Sequence, residues 1–182
     1  MNAFETLAAR QISAHPAYRN LRLRRALYQS AVDWVAPERV INIGCGYQCP
    51  YRGTKSVYMF DKDKLVVESY ERDSHNDFYV DGSFNSESIL DKWEHFVTDN
   101  CLVVCEGLFA YLTIDQCFEI VGKSREVGSS IIFDWPSAAD YTYIDGAIDK
   151  SSTILELGDF DFLLPNGSRI ITYLPPGTTP AE

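Results

Sequence analysis

Three observations predict a three-layer α/β/α sandwich around a mostly parallel sheet. Short apolar runs recur along the first 135 residues, several with no polar alternation, as strands covered on both faces require. Segments with helical spacing separate them, which is the order of a parallel sheet with crossover helices. Most runs end in glycine or an acid, and strand ends of that kind face ligands in open α/β sheets.

The elements follow in order. Residues 3–35 read as helices, with Phe4, Leu7 and Ile12 on one stripe and Tyr18, Leu21, Ala26, Tyr28, Ala31, Val32 and Val35 on a second, interrupted at His15-Pro16. Arg19, Arg22, Arg24 and Arg25 interleave with the second stripe. Strands are expected at Arg39–Ile43, Ser56–Phe60, Phe78–Val80, Cys101–Cys105 and Ser130–Asp134. Helices are expected at 62–72, at 86–96 and from Thr113 to about Val127, with Thr113 as N-cap, Asp115 in the first turn and Gly128 as the stop. Phe160–Leu164 and Ile170–Leu174, joined by Pro165-Asn166-Gly167-Ser168, read as a β-hairpin. The expected organisation is a single domain: a helical cap (1–36), a core (37–135), a lid (136–159) and the terminal hairpin (160–175), with seven strands at most and a loose tail.

Composition narrows the function. The 182 residues suit one domain with one continuous core. Hydrophobic residues make up 46% and charged residues 23%, which excludes a disordered or low-complexity chain. Sixteen basic against 26 acidic residues give a net charge of −10, so phosphate backbones and anionic lipid are poor partners. Without a long apolar run or a signal-peptide pattern, the expectation is a cytoplasmic protein whose five cysteines are reduced. Cys45 and Cys49 lack the third cysteine of a radical-cluster motif, and Cys101 and Cys105 read as core thiols. The histidines His15, His75 and His95 have no metal-ligand spacing, and no Gly-x-Ser-x-Gly elbow occurs.

The first strand ends in Gly44-Cys45-Gly46, a glycine turn that lets a ligand approach the backbone. The pattern is neither G-x-G-x-x-G nor a P-loop, which disfavours a dinucleotide or a nucleoside triphosphate. The second strand ends in Asp61, suited to ribose hydroxyls, and the third in Asp81, suited to an adenine amino group. Glycine turn, acid, acid describes a nucleoside pocket without a phosphate cradle, and S-adenosylmethionine is a cofactor of that description.

Residues 40–134 resemble a class I S-adenosylmethionine-dependent methyltransferase. Val40-Ile41-Asn42-Ile43-Gly44-Cys45-Gly46 is similar to its first motif, with Asn42 where an acid is usual. Cys105-Glu106-Gly107-Leu108-Phe109-Ala110-Tyr111-Leu112 resembles the AEGxxxYL segment of the leucine carboxyl methyltransferase and polyketide O-methyltransferase family. The resemblance implies a Rossmann-like fold and a cofactor site made of Asn42, Gly44, Cys45, Gly46, Asp61, Lys62, Asp81, Gly82, Ser83, Glu106 and Gly107. It also implies an N-terminal arginine on the cofactor carboxylate, for which Arg19, Arg22, Arg24 and Arg25 are all candidates between which the sequence does not choose, Arg25 standing for them in the site. A solvated helix face is the competing reading of those arginines. Tyr111 is expected to be packing.

Typical members of that family run longer, with helices over the acceptor pocket. The acceptor is therefore expected to be small, presented by a partner protein, or absent. Asp134, Asp140, Tyr141 and His75 are candidates for a catalytic base, and Trp135 and Tyr143 for the acceptor wall, with Tyr143 also placed among the catalytic residues. Methyl transfer to an oxygen or nitrogen of a small metabolite is the leading expectation. Two alternatives stay open. In one, the cofactor's own amine attacks its γ-carbon and releases methylthioadenosine, closing azetidine-2-carboxylate; in the other, the chain is a non-catalytic partner subunit. A homodimer fits either course.

Overall fold

The computed structural model describes residues 18–46, 51–54, 56–63, 65–66, 68, 78–81, 97–137, 150 and 158–178. Among the described residues, seven strands form one sheet: β1 (Arg39–Ile43), β2 (Ser56–Phe60), β3 (Phe78–Asp81), β4 (Cys101–Cys105), β5 (Ser130–Trp135), β6 (Phe160–Leu163) and β7 (Arg169–Tyr173), in the order β3-β2-β1-β4-β5-β7-β6. The first five strands in that order pair in parallel, and β7 runs antiparallel to both β5 and β6. The expected hairpin is present, with strand limits displaced by one residue at three of its four ends, and its second strand lies against β5. Gly167 at φ +88° closes its turn.

Period-two alternation splits the sheet into two faces. Val40, Met59, Leu102, Val104, Ile132 and Ile170 face helix α1 (Tyr18–Val35), which buries Tyr28, Ala31 and Val32 against them. Ile41, Ile43, Val103, Cys105, Ile131, Phe133 and Ile171 face helix α2 (Ile114–Glu126), which contributes Cys117 and Ile120. Helices on both faces make the three layers.

The sequence marks both helix boundaries that matter. Ala36 takes φ +48°, its N–H bonds to the Val32 carbonyl, and Pro37 follows, so α1 stops there. Thr113 caps α2: its hydroxyl accepts from the Gln116 N–H at 3.2 Å, and the Gln116 side chain accepts from the Thr113 N–H at 2.9 Å. Asp115 lies in the first turn, Lys123 and Arg125 in the last, and Gly128 at φ +74° follows the end. Among the described residues, no helix is long and apolar enough to cross a membrane.

Candidate functional site at the carboxyl edge of the sheet

Strand order reverses between β1 and β4, which is where an open α/β sheet leaves a crevice beyond its strand ends. Asn42 pairs with Val104, and Val104 with Ile132. One step of two residues further along each strand places Gly44, Glu106 and Asp134 in a row on the face toward α1. That face is closed by Arg24, Arg25 and Tyr28, one turn of the same helix.

Glu106 is buried and held by three side chains. Arg25 donates Nη1–H to its Oε2 at 2.8 Å, Tyr51 donates its hydroxyl to the same oxygen at 2.7 Å, and Arg24 Nε donates to Oε1 at 3.3 Å. The Arg25 guanidinium lies 3.8 Å above the Tyr51 ring centre. Asp134, also buried, accepts through Oδ1 from the Gly107 N–H at 2.5 Å and the Tyr28 hydroxyl at 2.8 Å, and its Oδ2 is 3.6 Å from Arg24. Gly107 has φ +74°, and a Cβ there would stand 3.2 Å from Arg24 Nη2, so the guanidinium rests against the bare backbone.

The two acids titrate in opposite directions. Burial works against ionised Glu106, but the Arg25 and Arg24 charges and the bonds from Tyr51 and Arg25 outweigh it and hold its pKa below the usual carboxylate value. Asp134 lies farther from its cation, Arg24, at 3.6 Å; burial prevails over that charge and the two hydrogen bonds, and its pKa is raised. Burial keeps Tyr28 and Tyr51 well above the ordinary phenol value, so both stay protonated donors.

The glycine turn is fixed from β2. Gly44 and Cys45 donate to the Phe60 carbonyl at 2.8 and 3.1 Å, and Gly46 donates to Asp61 Oδ2 at 2.7 Å. Asp61 Oδ1 accepts from the Asp63 N–H at 2.9 Å. Gly44 (φ +65°) turns toward Leu108, whose Cδ1 would lie 2.8 Å from a Cβ, whereas no atom stands within 4 Å of the Cβ position of Gly46 (φ +54°). Asn42 is fully buried; its amide donates to the Met59 sulfur at 3.8 Å, and its Oδ1 has no hydrogen-bond partner among the described residues.

The structure thus brings together Asn42, Gly44, Cys45, Gly46, Asp61, Glu106, Gly107, Arg25 and Asp134. Lys62 follows Asp61 and is exposed, and Asp81 ends β3 opposite Phe60 in register. Gly82, Ser83, His75, Asp140, Tyr141, Tyr143 and most of the expected lid lie outside the described residues, as do residues 3–17 and the segment 86–96, where a helix is expected. Arg24 and Arg25 do not form a solvated helix face; both turn inward onto Glu106 because a buried carboxylate draws its counter-ions. Arg22 is exposed. Tyr111 is not core packing either: in a one-turn 3₁₀ helix (Phe109–Tyr111) it is 53% exposed, while Phe109 two residues earlier takes the core place. Trp135 is buried among Phe109, Phe118 and Phe133 on the α2 face. Sequence reasoning missed Tyr28 and Tyr51. Tyr28 had a signal, four residues after Arg24 on one helix face; Tyr51, in the β1–β2 loop, had none.

Cys45, Cys101, Cys105 and Cys117 are buried thiols, and burial pushes Cys117 up to about 12. Among the described residues, no group of three or more His, Cys, Asp or Glu side chains is arranged to hold a metal.

No protein-family model and no curated protein matches the chain in sequence. Solved structures do match in shape. Magnesium protoporphyrin IX methyltransferase from Synechocystis PCC 6803 with bound SAH aligns at TM-score 0.57 and 12% identity, over 96% of this chain and 95% of that one. The same enzyme with bound SAM aligns at 0.56. The fold is the one these methyltransferases share. The methyltransferase domain of bacterial CtHen1-CN aligns at 0.55 and 12% identity, over 85% of this chain and 99% of that one.

Proposed function

We propose that the chain binds S-adenosylmethionine across the β1/β4 switch point and transfers its methyl group to an oxygen or nitrogen of a small metabolite. The observation that carries this reading is the convergence on one sheet edge of the Gly44-Cys45-Gly46 turn, Asp61 and the Glu106–Arg24–Arg25 group. These groups fit the cofactor's parts. Asp61 keeps lone pairs for ribose hydroxyls beyond those given to Gly46 and Asp63, and Asp81, with Gly82 and Ser83, is assigned to the adenine. The open side of Gly46 admits close approach, and the arginines suit a carboxylate. When bound, the cofactor supplies an electrophilic carbon on a sulfonium; the chain's part is to orient it and exclude water. Asp134 is committed to Gly107 and Tyr28, so we assign any base to Asp140, Tyr141 or Tyr143. The Cys105–Leu112 segment supports placing the chain beside the leucine carboxyl and polyketide O-methyltransferases.

One observation favours a second reading, attack of the cofactor's amine on its γ-carbon. That step forms a C–N bond, breaks the C–S bond, and gives a proton to water, so it needs the amine neutral. The charge of Glu106 is already balanced by two guanidiniums, and Asn42 adds none. Mass spectrometry of the protein incubated with S-adenosylmethionine alone separates the readings. Intact cofactor, followed by S-adenosylhomocysteine on adding small acceptors, is the expected result. Methylthioadenosine with a new amino acid would establish the second reading, and failure to bind the cofactor would overturn both.

A further inference from the structure

We infer that Tyr51 is a positioning residue that fixes Glu106 and Arg25 for the α-amino-acid end of the ligand, and so sets the preference for a nucleoside carrying that end over the same nucleoside without it. The inference rests on the cofactor reading above and extends it to a residue outside the glycine turn and the acids.

The geometry is asymmetric. Glu106 Oε2 receives both strong bonds, from Arg25 at 2.8 Å and Tyr51 at 2.7 Å, whereas Oε1 has one contact at 3.3 Å. The carboxylate is thereby held in one rotamer with Oε1 as its under-coordinated oxygen, available to an amino group. The same tyrosine ring lies flat against the Arg25 guanidinium at 3.8 Å, which fixes the plane in which that fork meets a carboxylate. Tyr51 itself is anchored: its ring is buried, and the next residue is tied to α1 by reciprocal bonds, Arg52 N–H to Gln29 Oε1 at 3.1 Å and Gln29 Nε2 to the Arg52 carbonyl at 3.1 Å. One loop therefore sets an acceptor and a donor fork together, and both halves of an amino acid need such a pair. The Tyr51 hydroxyl is given to Glu106 and its ring to Arg25, so its influence passes through those two residues.

The test is calorimetric titration of wild type, Tyr51→Phe, Glu106→Gln and the double variant with S-adenosylhomocysteine and with methylthioadenosine, which lacks the amino-acid end. Tyr51→Phe keeps the ring under Arg25 and removes only the hydroxyl. The expected result is about a tenfold weaker Kd for S-adenosylhomocysteine, an unchanged Kd for methylthioadenosine, and no added loss from Tyr51→Phe in the Glu106→Gln background. Equal weakening of both ligands, unchanged affinity for both, or additive losses would each overturn the assignment. Arg25→Lys, which keeps the charge but loses the stacked fork, should show the same ligand selectivity and covers the case of an unfolded Tyr51→Phe. Wild type binding neither ligand would overturn the cofactor reading itself.

Discussion

Replacing Glu106 by Gln tests whether the acid under α1 is the electrostatic keystone of the cap. Its side chain is 4% exposed, and its partners Arg24 and Arg25 are 17% and 22% exposed. Removing one partner of a buried ion pair costs about 3–5 kcal/mol because the remaining charge stays buried. Here the two arginine side chains keep about a fifth of their surface in water and Arg24 retains Asp134 at 3.6 Å, so about 2–3 kcal/mol is expected after screening. For a chain of this size that lowers Tm by roughly 4–12 °C. Urea unfolding followed by circular dichroism at neutral pH measures it. The sign of the pH dependence is fixed as well. A carboxyl whose folded pKa lies below its unfolded value of 4.5 contributes stability that is present above that value and fades as pH falls through the folded pKa. The gap between wild type and Glu106→Gln should therefore be widest near neutrality and close in acid. Asp134 runs the other way: its raised pKa makes ionisation a cost that grows as pH rises above its unfolded value of 3.8, a cost that Asp134→Asn should remove. A loss under about 0.5 kcal/mol, or a gap that does not change with pH, would refute the keystone argument.

Other outcomes are equally specific. Saturating S-adenosylhomocysteine at 100 times Kd should stabilise the protein by about 2.7 kcal/mol, and Asp61→Ala should abolish most of the resulting Tm rise; an unchanged rise removes Asp61 from the pocket. Gly44→Ala forces a left-handed alanine against Leu108 and should cost stability of about 2 kcal/mol with or without ligand. Gly46→Ala meets open space, so after the roughly 1–2 kcal/mol backbone cost its further loss should appear in ligand titration. Thr113→Ala, which breaks the capping box, should cost about 1 kcal/mol in urea unfolding. Ala36→Gly, at φ +48° after α1, should gain up to about 1 kcal/mol in the same assay.

The sheet was legible because burial on both faces leaves a simple mark: Cys101–Cys105 carries no polar residue, and only a covered strand tolerates that. Thr113 and Gly128 were legible because caps are local chemistry. Placement of the hairpin was not, since local sequence does not say which of its strands meets β5. In the site, the glycines and acids announced themselves as strand-end residues. The choice among four arginines did not, because helical spacing fixes a face but not which carboxylate lies beneath it. Tyr51 joins the group through tertiary folding alone, 55 residues from its acceptor. Tyr111 misled because an aromatic in an apolar segment reads as core when the segment's turn directs it outward.

The placement of β7 carries a consequence for how the molecule is made. Its backbone is what separates β5 from the hairpin's outer strand, and β5 is apolar at Ile131, Ile132 and Phe133. During synthesis β5 emerges some forty residues before the strand that closes it, so a nascent chain presents a bare, hydrophobic edge until residues 169–173 leave the ribosome. A stop anywhere in that interval would leave the β5 edge uncovered, a fragment prone to edge-to-edge association with other chains.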